Sequence, residues 1–230
     1  MSRLGSWPGG PILCYVTDRR ILPVEDPGDT LELLLHKIKA AAAAGVDWIQ
    51  IREKDLPGRD CAALTNHALQ HAARYAASGA SPARILVNDR LDVALSEGAG
   101  GVHLGEHSLP AAEARRLADC GGVGKDFLMG VSCHSLEAAK AAERGGADYI
   151  FFGPVFATPS KAAYGTAQGL ALLAEVSRSV SLPVLAIGGV TLENAASCLT
   201  AGAAGIAAIR LFQESQDVPS IVKTLRMQKV

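Results

Sequence analysis

The chain has no CxxC pair, no long apolar run, no surplus of charge of either sign and no dinucleotide fingerprint, and each absence removes a class of function. The five cysteines, Cys14, Cys61, Cys120, Cys133 and Cys198, are odd in number and widely spaced. That spacing gives no support to a structural zinc site; reduced and mostly buried thiols are expected. No stretch reaches the roughly 18 apolar residues that a spanning helix needs, and Met1–Gly10 carries no clear signal-peptide core. The expectation is a cytoplasmic protein with no membrane partner. Lysine plus arginine number 22 and aspartate plus glutamate 23, a net charge of -1. Without a broad positive field nucleic acid is not an expected partner, although a local cluster of cations still suits a small anion. No GxGxxG follows the first apolar segment, which weakens an open doubly wound dinucleotide fold. No linker rich in Pro, Gly and Ser divides the chain, so residues 12–230 read as one domain behind a flexible tail at 1–11.

What is present is a repeated unit in a chain of 230 residues that is 49% hydrophobic and 20% charged, with 24 glycines. Ala40–Arg52, Ala94–Gly105, Ala141–Gly153 and Leu199–Arg210 each run from the end of an alanine-rich helix through glycine into a short apolar strand. Glycine tolerates the left-handed conformation that ends a helix. Strands this uniformly apolar are buried on both faces, as in parallel sheets with helical crossovers. The rhythm predicts strands near Leu13–Thr17, Trp48–Arg52, Ile85–Asn88, Gly101–Leu104, Leu128–Ser132, Tyr149–Phe152, Val184–Ile187 and Ile206–Ile209. Helices fit near Thr30–Ala44, Cys61–Ala77, Leu91–Ser96, Ala111–Asp119, Leu136–Arg144, Leu170–Ser177, Leu192–Thr200 and Val218–Arg226. Ser135 and Thr191 read as helix caps, and Pro110 suits a first helical position. Eight such units predict a small (β/α)8 TIM barrel; an open doubly wound sheet is the runner-up. Asp18–Asp29 reads as a loop able to lie over the barrel mouth.

In a barrel the catalytic groups gather at the C-terminal strand ends, and this chain places polar residues there. If the second strand stays extended, Gln50, Arg52 and Lys54 point the same way. An arginine fork with a lysine point charge suits a phosphate or diphosphate. Asn88-Asp89 ends the third strand, where Asp89 suits a hard cation such as Mg²⁺ and both residues also read as ordinary helix caps. Ser132 and His134 follow the fifth strand, as a phosphate donor and a proton-transfer candidate. Cys133 beside His134 is weak evidence for a nucleophilic pair. Thr158, Ser160 and Lys161 lie on a Gly- and Pro-punctuated loop that reads as an anion clamp or a plain surface turn. Gly188-Gly189 after the seventh strand and Ala208-Ile209 at the end of the eighth occupy the places where barrels hold phosphate on backbone amides.

These segments resemble the thiamine phosphate synthase and thiazole tautomerase family. The resemblance rests on Gln50–Lys54 (QIREK), Val87–Asp89 (VND), Gly101–Gly105 (GVHLG), Gly130–Ser132 (GVS), Gly153–Lys161 (GPVFATPSK) and Ala186–Val190 (AIGGV), and it covers roughly Cys14–Phe212. It implies a (β/α)8 barrel, usually a homodimer. The synthase of that family joins a hydroxymethylpyrimidine diphosphate to a thiazole phosphate with release of diphosphate. Carried over by position, Gln50 looks like the pyrimidine contact. Arg52, Lys54, Asn88, Ser132 and Lys161 look like diphosphate contacts, and Asp89 like a Mg²⁺ ligand. Thr158, Ser160, Gly189 and the backbone at Ala208–Ile209 look like the thiazole phosphate side. The catalytic candidates are Arg52, Lys54, Lys161 and His134.

One departure keeps alternatives open. The synthase pattern after the fourth strand is HxGQxD, and here Ser108 stands where its aspartate, a second Mg²⁺ ligand, is expected; Glu106 is a further candidate at a different offset. Gly105–Pro110 and His134–Glu137 look more like the tautomerase, which aromatises a thiazole carboxylate phosphate without a metal, with His134 as general acid–base. A noncatalytic thiazole or thiamine phosphate binder would need only the phosphate site. Arg210, where the family usually has a small residue, either adds charge to that site or points outward into an ion pair.

Overall fold

Eight short parallel strands pair in sequence order, and β8 returns to β1 to close the barrel. The computed structural model describes residues 10–23, 30–76, 81–158 and 166–228. The strands are β1 (Ile12–Val16), β2 (Trp48–Ile51), β3 (Arg84–Asn88), β4 (Gly101–Leu104), β5 (Leu128–Cys133), β6 (Tyr149–Phe152), β7 (Val184–Ile187) and β8 (Gly205–Ala208). The helices are α1 (Thr30–Ala44), α2 (Gly58–Ala76), α3 (Leu91–Ser96), α4 (Ala111–Cys120), α5 (Leu136–Arg144), α6 (Gly169–Ser179), α7 (Leu192–Thr200), α8 (Arg210–Gln213) and α9 (Val218–Met227). The expected TIM barrel is therefore the fold, and closure removes the open-sheet alternative.

The local chemistry explains the rhythm. Gly45, Gly98, Gly146 and Gly202, one in each repeated segment, adopt φ between 66° and 96°, a region that costs glycine little and other residues more. The Ser135 hydroxyl caps α5 by accepting from the Ala138 amide at 3.1 Å. At α7 the Asn194 side chain reaches back to accept from the Thr191 amide at 2.8 Å. Pro110 sits at the cap of α4, one residue before the expected first helical position. The strand starts are tied as well. The Asp47 carboxylate accepts from the Leu13 amide at 2.7 Å and from Arg226 at 2.8 Å. Asp148 repeats the arrangement with the Met129 amide, at 2.7 Å, and with Arg115. These contacts stabilise the N-terminal end of the barrel, away from the mouth.

Strand alternation divides the core in two. Inside the barrel lie Ile12, Cys14, Val16, Trp48, Leu86, Leu128, Tyr149, Phe151, Leu185 and Ala207. Between the strands and the helices lie apolar layers that include Leu34, Ile38, Ile150, Leu173 and Leu225 on one side and Val93, Val102 and Met129 on the other. Small inward residues make room for large ones: a methyl group at Gly130 would lie 2.1 Å from Cζ of Tyr149. Four cysteines are buried and Cys120 is exposed, all as free thiols.

Residues 1–9 of the expected tail and residues 24–29 of the expected loop lie outside the described residues. Pro11, the last residue of that tail, is buried, and its carbonyl accepts from Arg226. Arg19–Ile21 forms a short 3₁₀ turn within the expected loop. Helix α8 is an addition to the expected pattern: four residues carry too little periodicity to be read from sequence.

Candidate active site at the barrel mouth

The inward stripe of each strand continues upward into polar residues. On β2 the stripe runs Trp48 and Gln50, and Arg52 follows one residue past the strand end. Gln50 is 1% exposed; its Nε2 donates to Oδ1 of Asn88 at 2.9 Å, while its Oε1 is buried without a partner. A buried acceptor left unpaired costs free energy, on the order of 1–3 kcal/mol, so this atom is open to a donor. With Oδ1 of Asn88 committed to Gln50, the Asn88 amide hydrogens are the part left to meet an anion.

Arg52 is half-buried. Its backbone N–H donates to Oγ1 of Thr17 at 2.9 Å, and its guanidinium lies 3.4 Å from Asp18. Burial alone raises the Asp18 carboxyl pKa, but the neighbouring Arg20 and Arg52 outweigh it and hold the group below its ordinary value. Glu53 turns away from Arg52. It accepts from Thr17 Oγ1 at 2.7 Å and from the Arg19 amide at 3.0 Å, tying the end of β1 to the end of β2. Strand β2 stops at Ile51, and the Leu56 amide bonds back to the Glu53 carbonyl at 3.2 Å. Lys54 is therefore placed by a turn and not by strand alternation, which corrects the premise that grouped it with Gln50 and Arg52; it is exposed at the rim.

At the end of β3, Asp89 holds φ at +63°, the one non-glycine residue with positive φ among those described. Its amide donates to the His103 carbonyl at 2.8 Å. Its carboxylate is exposed and makes no hydrogen bond or ion pair among the described residues. Neither Asn88 nor Asp89 caps α3; the cap position is Arg90, with no side-chain capping bond. Backbone strain of this kind, of order 1–3 kcal/mol, gathers at functional sites.

After β4, Glu106 is exposed. Ser108 Oγ accepts from the Gly105 amide at 2.7 Å, closing its own turn. Among the described residues no group of three His, Cys, Asp or Glu side chains comes together to hold a metal. The donor set is thus one open carboxylate, a hydroxyl engaged in its turn and a second carboxylate on the same loop. That set does not make a dedicated cage. It fits Mg²⁺ shared with a substrate, because that ion commonly takes one or two carboxylates and completes its shell with phosphates and water.

On β5, Ser132 faces inward and is half-buried. Its Oγ lies 2.9 Å from Nε2 of His103, whose Nδ1 lies 3.1 Å from the Tyr149 hydroxyl. The His103 ring stacks on Phe151 with centroids 4.1 Å apart. Burial, with the Arg52 charge adding to it, pushes the His103 pKa down to about 3, so the ring is neutral. Nothing in the sequence marks His103 as a site residue beyond its place in the segment GVHLG. The available signal was register: β3 and β4 pair Asn88 with His103, and β4 and β5 pair His103 with Gly130 two residues before Ser132, on one inward stripe.

His134 Nδ1 donates to the Gly153 carbonyl. Cys133 instead packs outward, with its thiol pushed up to about 12 by burial, so it is no nucleophile for His134 to activate.

The loop after β6 folds over the end of β7. Val155 N–H donates to the Ile187 carbonyl at 2.9 Å and Phe156 N–H to the Gly188 carbonyl at 3.0 Å. That brings Thr158, half-buried, to the same rim. Ser160 and Lys161 lie outside the described residues. Gly188 and Gly189 hold φ of 92° and 67°, and a methyl group at Gly189 would sit 2.6 Å from the Ala157 carbonyl oxygen. Strands β7 and β8 pair Ile187 with Ala207, so Gly188-Gly189 and Ala208-Ile209 leave the sheet side by side. The short α8 follows Ile209 directly, an arrangement in which many barrels hold a phosphate. Gln213 of α8 anchors it by accepting from the Tyr15 hydroxyl at 3.0 Å and from the Asp18 amide at 3.0 Å. Arg210 points outward and pairs with Glu214, which resolves its two readings in favour of the ion pair.

A family model described as thiamine monophosphate synthase matches residues 21–212. The thiamine-phosphate synthase of Methanoculleus marisnigri is 46% identical over 188 residues, covering 82% of this chain and 84% of that relative. The thiamine-phosphate synthase of Roseiflexus sp. is 40% identical over 217 residues, covering 94% of this chain and 84% of the relative. Among solved structures, the thiamine phosphate pyrophosphorylase from Pyrococcus furiosus aligns with a TM-score of 0.76 and 33% identity over 94% of each chain. Matches of this identity and extent place the chain in the thiamine monophosphate synthase family.

Proposed function

We propose that the chain is a Mg²⁺-dependent thiamine phosphate synthase that joins 4-amino-2-methyl-5-hydroxymethylpyrimidine diphosphate to 4-methyl-5-(2-phosphooxyethyl)thiazole and releases diphosphate. The observation that carries this reading is the buried, unpartnered Oε1 of Gln50, two residues before Arg52, whose guanidinium lies 3.4 Å from Asp18. A pyrimidine bearing an exocyclic amine supplies the donor that atom lacks, and its diphosphate supplies the anion for the cation above it. A thiazole carboxylate phosphate brings no such amine.

In this reading Arg52, Lys54 and Lys161 neutralise charge as the bond between the pyrimidine methylene and diphosphate breaks, and the Asn88 amide and Ser132 hydroxyl donate to the same oxygens. The electron-rich pyrimidine stabilises the carbon left behind, and the thiazole nitrogen attacks it. No protein nucleophile is needed. The amides at Gly188-Gly189 and Ala208-Ile209, with Thr158 and Ser160, hold the thiazole phosphate so that its nitrogen faces that carbon. Asp89, with Glu106 as the second carboxylate, would hold Mg²⁺, which when bound supplies charge neutralisation on the departing diphosphate. A cytoplasmic homodimer is the proposed setting; among the described residues no helix is long and apolar enough to cross a membrane.

The test is a paired turnover assay of the purified chain. With both substrates and Mg²⁺, thiamine phosphate and diphosphate are expected in equal amounts, and neither after chelation. Metal-independent isomerisation of the thiazole carboxylate phosphate, lost in His134→Asn, would replace this reading with the tautomerase. Tight binding of thiazole phosphate with neither reaction would replace it with a noncatalytic binder.

A further inference from the structure

We propose that Tyr149 and His103 are positioning residues that fix the direction of the Ser132 hydroxyl, turning its hydrogen toward the diphosphate. The proposal rests on the reading of the barrel mouth as a diphosphate site. Tyr149 is fully buried inside the barrel, and a buried phenol O–H needs an acceptor. Among the described residues its hydroxyl has one hydrogen-bond partner, Nδ1 of His103 at 3.1 Å. If the phenol donates, Nδ1 is the unprotonated nitrogen, so Nε2 carries the ring proton. Nε2 is 2.9 Å from Ser132 Oγ and therefore donates to it. With that side of Oγ accepting, the Ser132 hydrogen must turn elsewhere, and the open direction is the mouth.

The opposite tautomer reverses every bond. With the proton on Nδ1, the Tyr149 hydrogen has no acceptor, Ser132 donates inward to Nε2, and its lone pairs face the incoming anion. The surroundings hold the chain of bonds in place. Phe151 stacks on the imidazole at 4.1 Å, and the Asp89 amide fixes the His103 carbonyl at 2.8 Å. Gly130 is the gap through which the phenol reaches the ring: a methyl group there would lie 2.3 Å from the Tyr149 hydroxyl and 2.5 Å from Nδ1.

Two measurements decide it. Nitrogen-15 NMR of the ligand-free chain with labelled histidine, the His103 signals being those that vanish in His103→Asn, reads which ring nitrogen of His103 bears the proton; Nε2–H is expected, and Nδ1–H overturns the proposal. Calorimetric titration with inorganic diphosphate in the presence of Mg²⁺ then tests coupling. Tyr149→Phe is expected to weaken binding by about three- to tenfold, the scale of one net hydrogen bond. In a Ser132→Ala background it is expected to have no further effect. Equal weakening in both backgrounds, as a structural role for the phenol would give, overturns the proposal. Neither measurement requires turnover, so failure of the synthase reading in the assay above is distinguishable from failure here.

Discussion

His103 shows how much a single buried side chain can commit. Its pKa is pushed down to about 3, mainly by burial, against about 6.5 in the unfolded chain. Between those values the unfolded chain binds a proton that the folded one does not. The contribution of this residue to stability is therefore complete above about pH 6.5 and is lost as pH falls toward 3. Between pH 7 and pH 5 the loss is about 2 kcal/mol, at about 1.4 kcal/mol for each unit below the unfolded value. Urea unfolding at those two pH values should show it, and His103→Asn should flatten the dependence; an unchanged slope in the variant would remove His103 as its source. The same residue marks the limit of reading at this scale. Gln50, Arg52, Asn88 and Ser132 were legible because polar residues at the ends of apolar strands stand out. His103 sits within its strand, and only the paired register with Asn88 and Gly130 brings it onto the stripe. The orphaned Oε1 of Gln50 was not legible, since sequence names the amide and not which half of it finds a partner.

At the scale of elements, the strands and most helices followed from the helix–glycine–strand unit, with ends displaced by one to three residues, most at the start of α2, which begins at Gly58 and not Cys61. The departures have local causes. Helix α8 is too short to show a period, yet it completes the place after β8 where a phosphate is expected. The turn after β2 diverts Lys54 from the alternation that Gln50 and Arg52 obey. The β7 exit has little room for a small change. Gly189 holds φ at 67°, and a methyl group there would press on the Ala157 carbonyl oxygen at 2.6 Å and on Cβ of Phe156 at 2.8 Å. Gly189→Ala should displace the loop after β6 and cost about 1–3 kcal/mol of stability. Its kinetic mark should be a rise of about tenfold or more in KM for the thiazole phosphate, the equivalent of roughly 1.4 kcal/mol, with KM for the pyrimidine diphosphate little changed. Equal rises in both constants would mean that the turn serves the whole mouth and not one substrate.

At the scale of the molecule, closure of the sheet is what converts scattered sequence segments into one site. Gln50 and Ser132 are far apart in the chain, yet the pairings β2 to β3, β3 to β4 and β4 to β5 carry them onto one inward surface. On the other side β7 and β8 deliver two pairs of backbone amides next to each other. The cationic and polar ends of β2 to β5 thus face the amide-rich ends of β7 and β8 across a single mouth, a layout suited to two phosphorylated substrates brought head to head. The most direct measurement of that claim is the placement of both substrates in a crystal structure of the chain with the pyrimidine diphosphate, the thiazole phosphate and Mg²⁺, trapped by a non-reactive analogue. The pyrimidine amine should lie within hydrogen-bonding distance of Gln50 Oε1, about 2.9 Å, with the thiazole phosphate on the amides of Gly189 and Ile209. A pyrimidine turned away from Gln50, with the thiazole phosphate bound outside the β7 and β8 ends, would contradict the account.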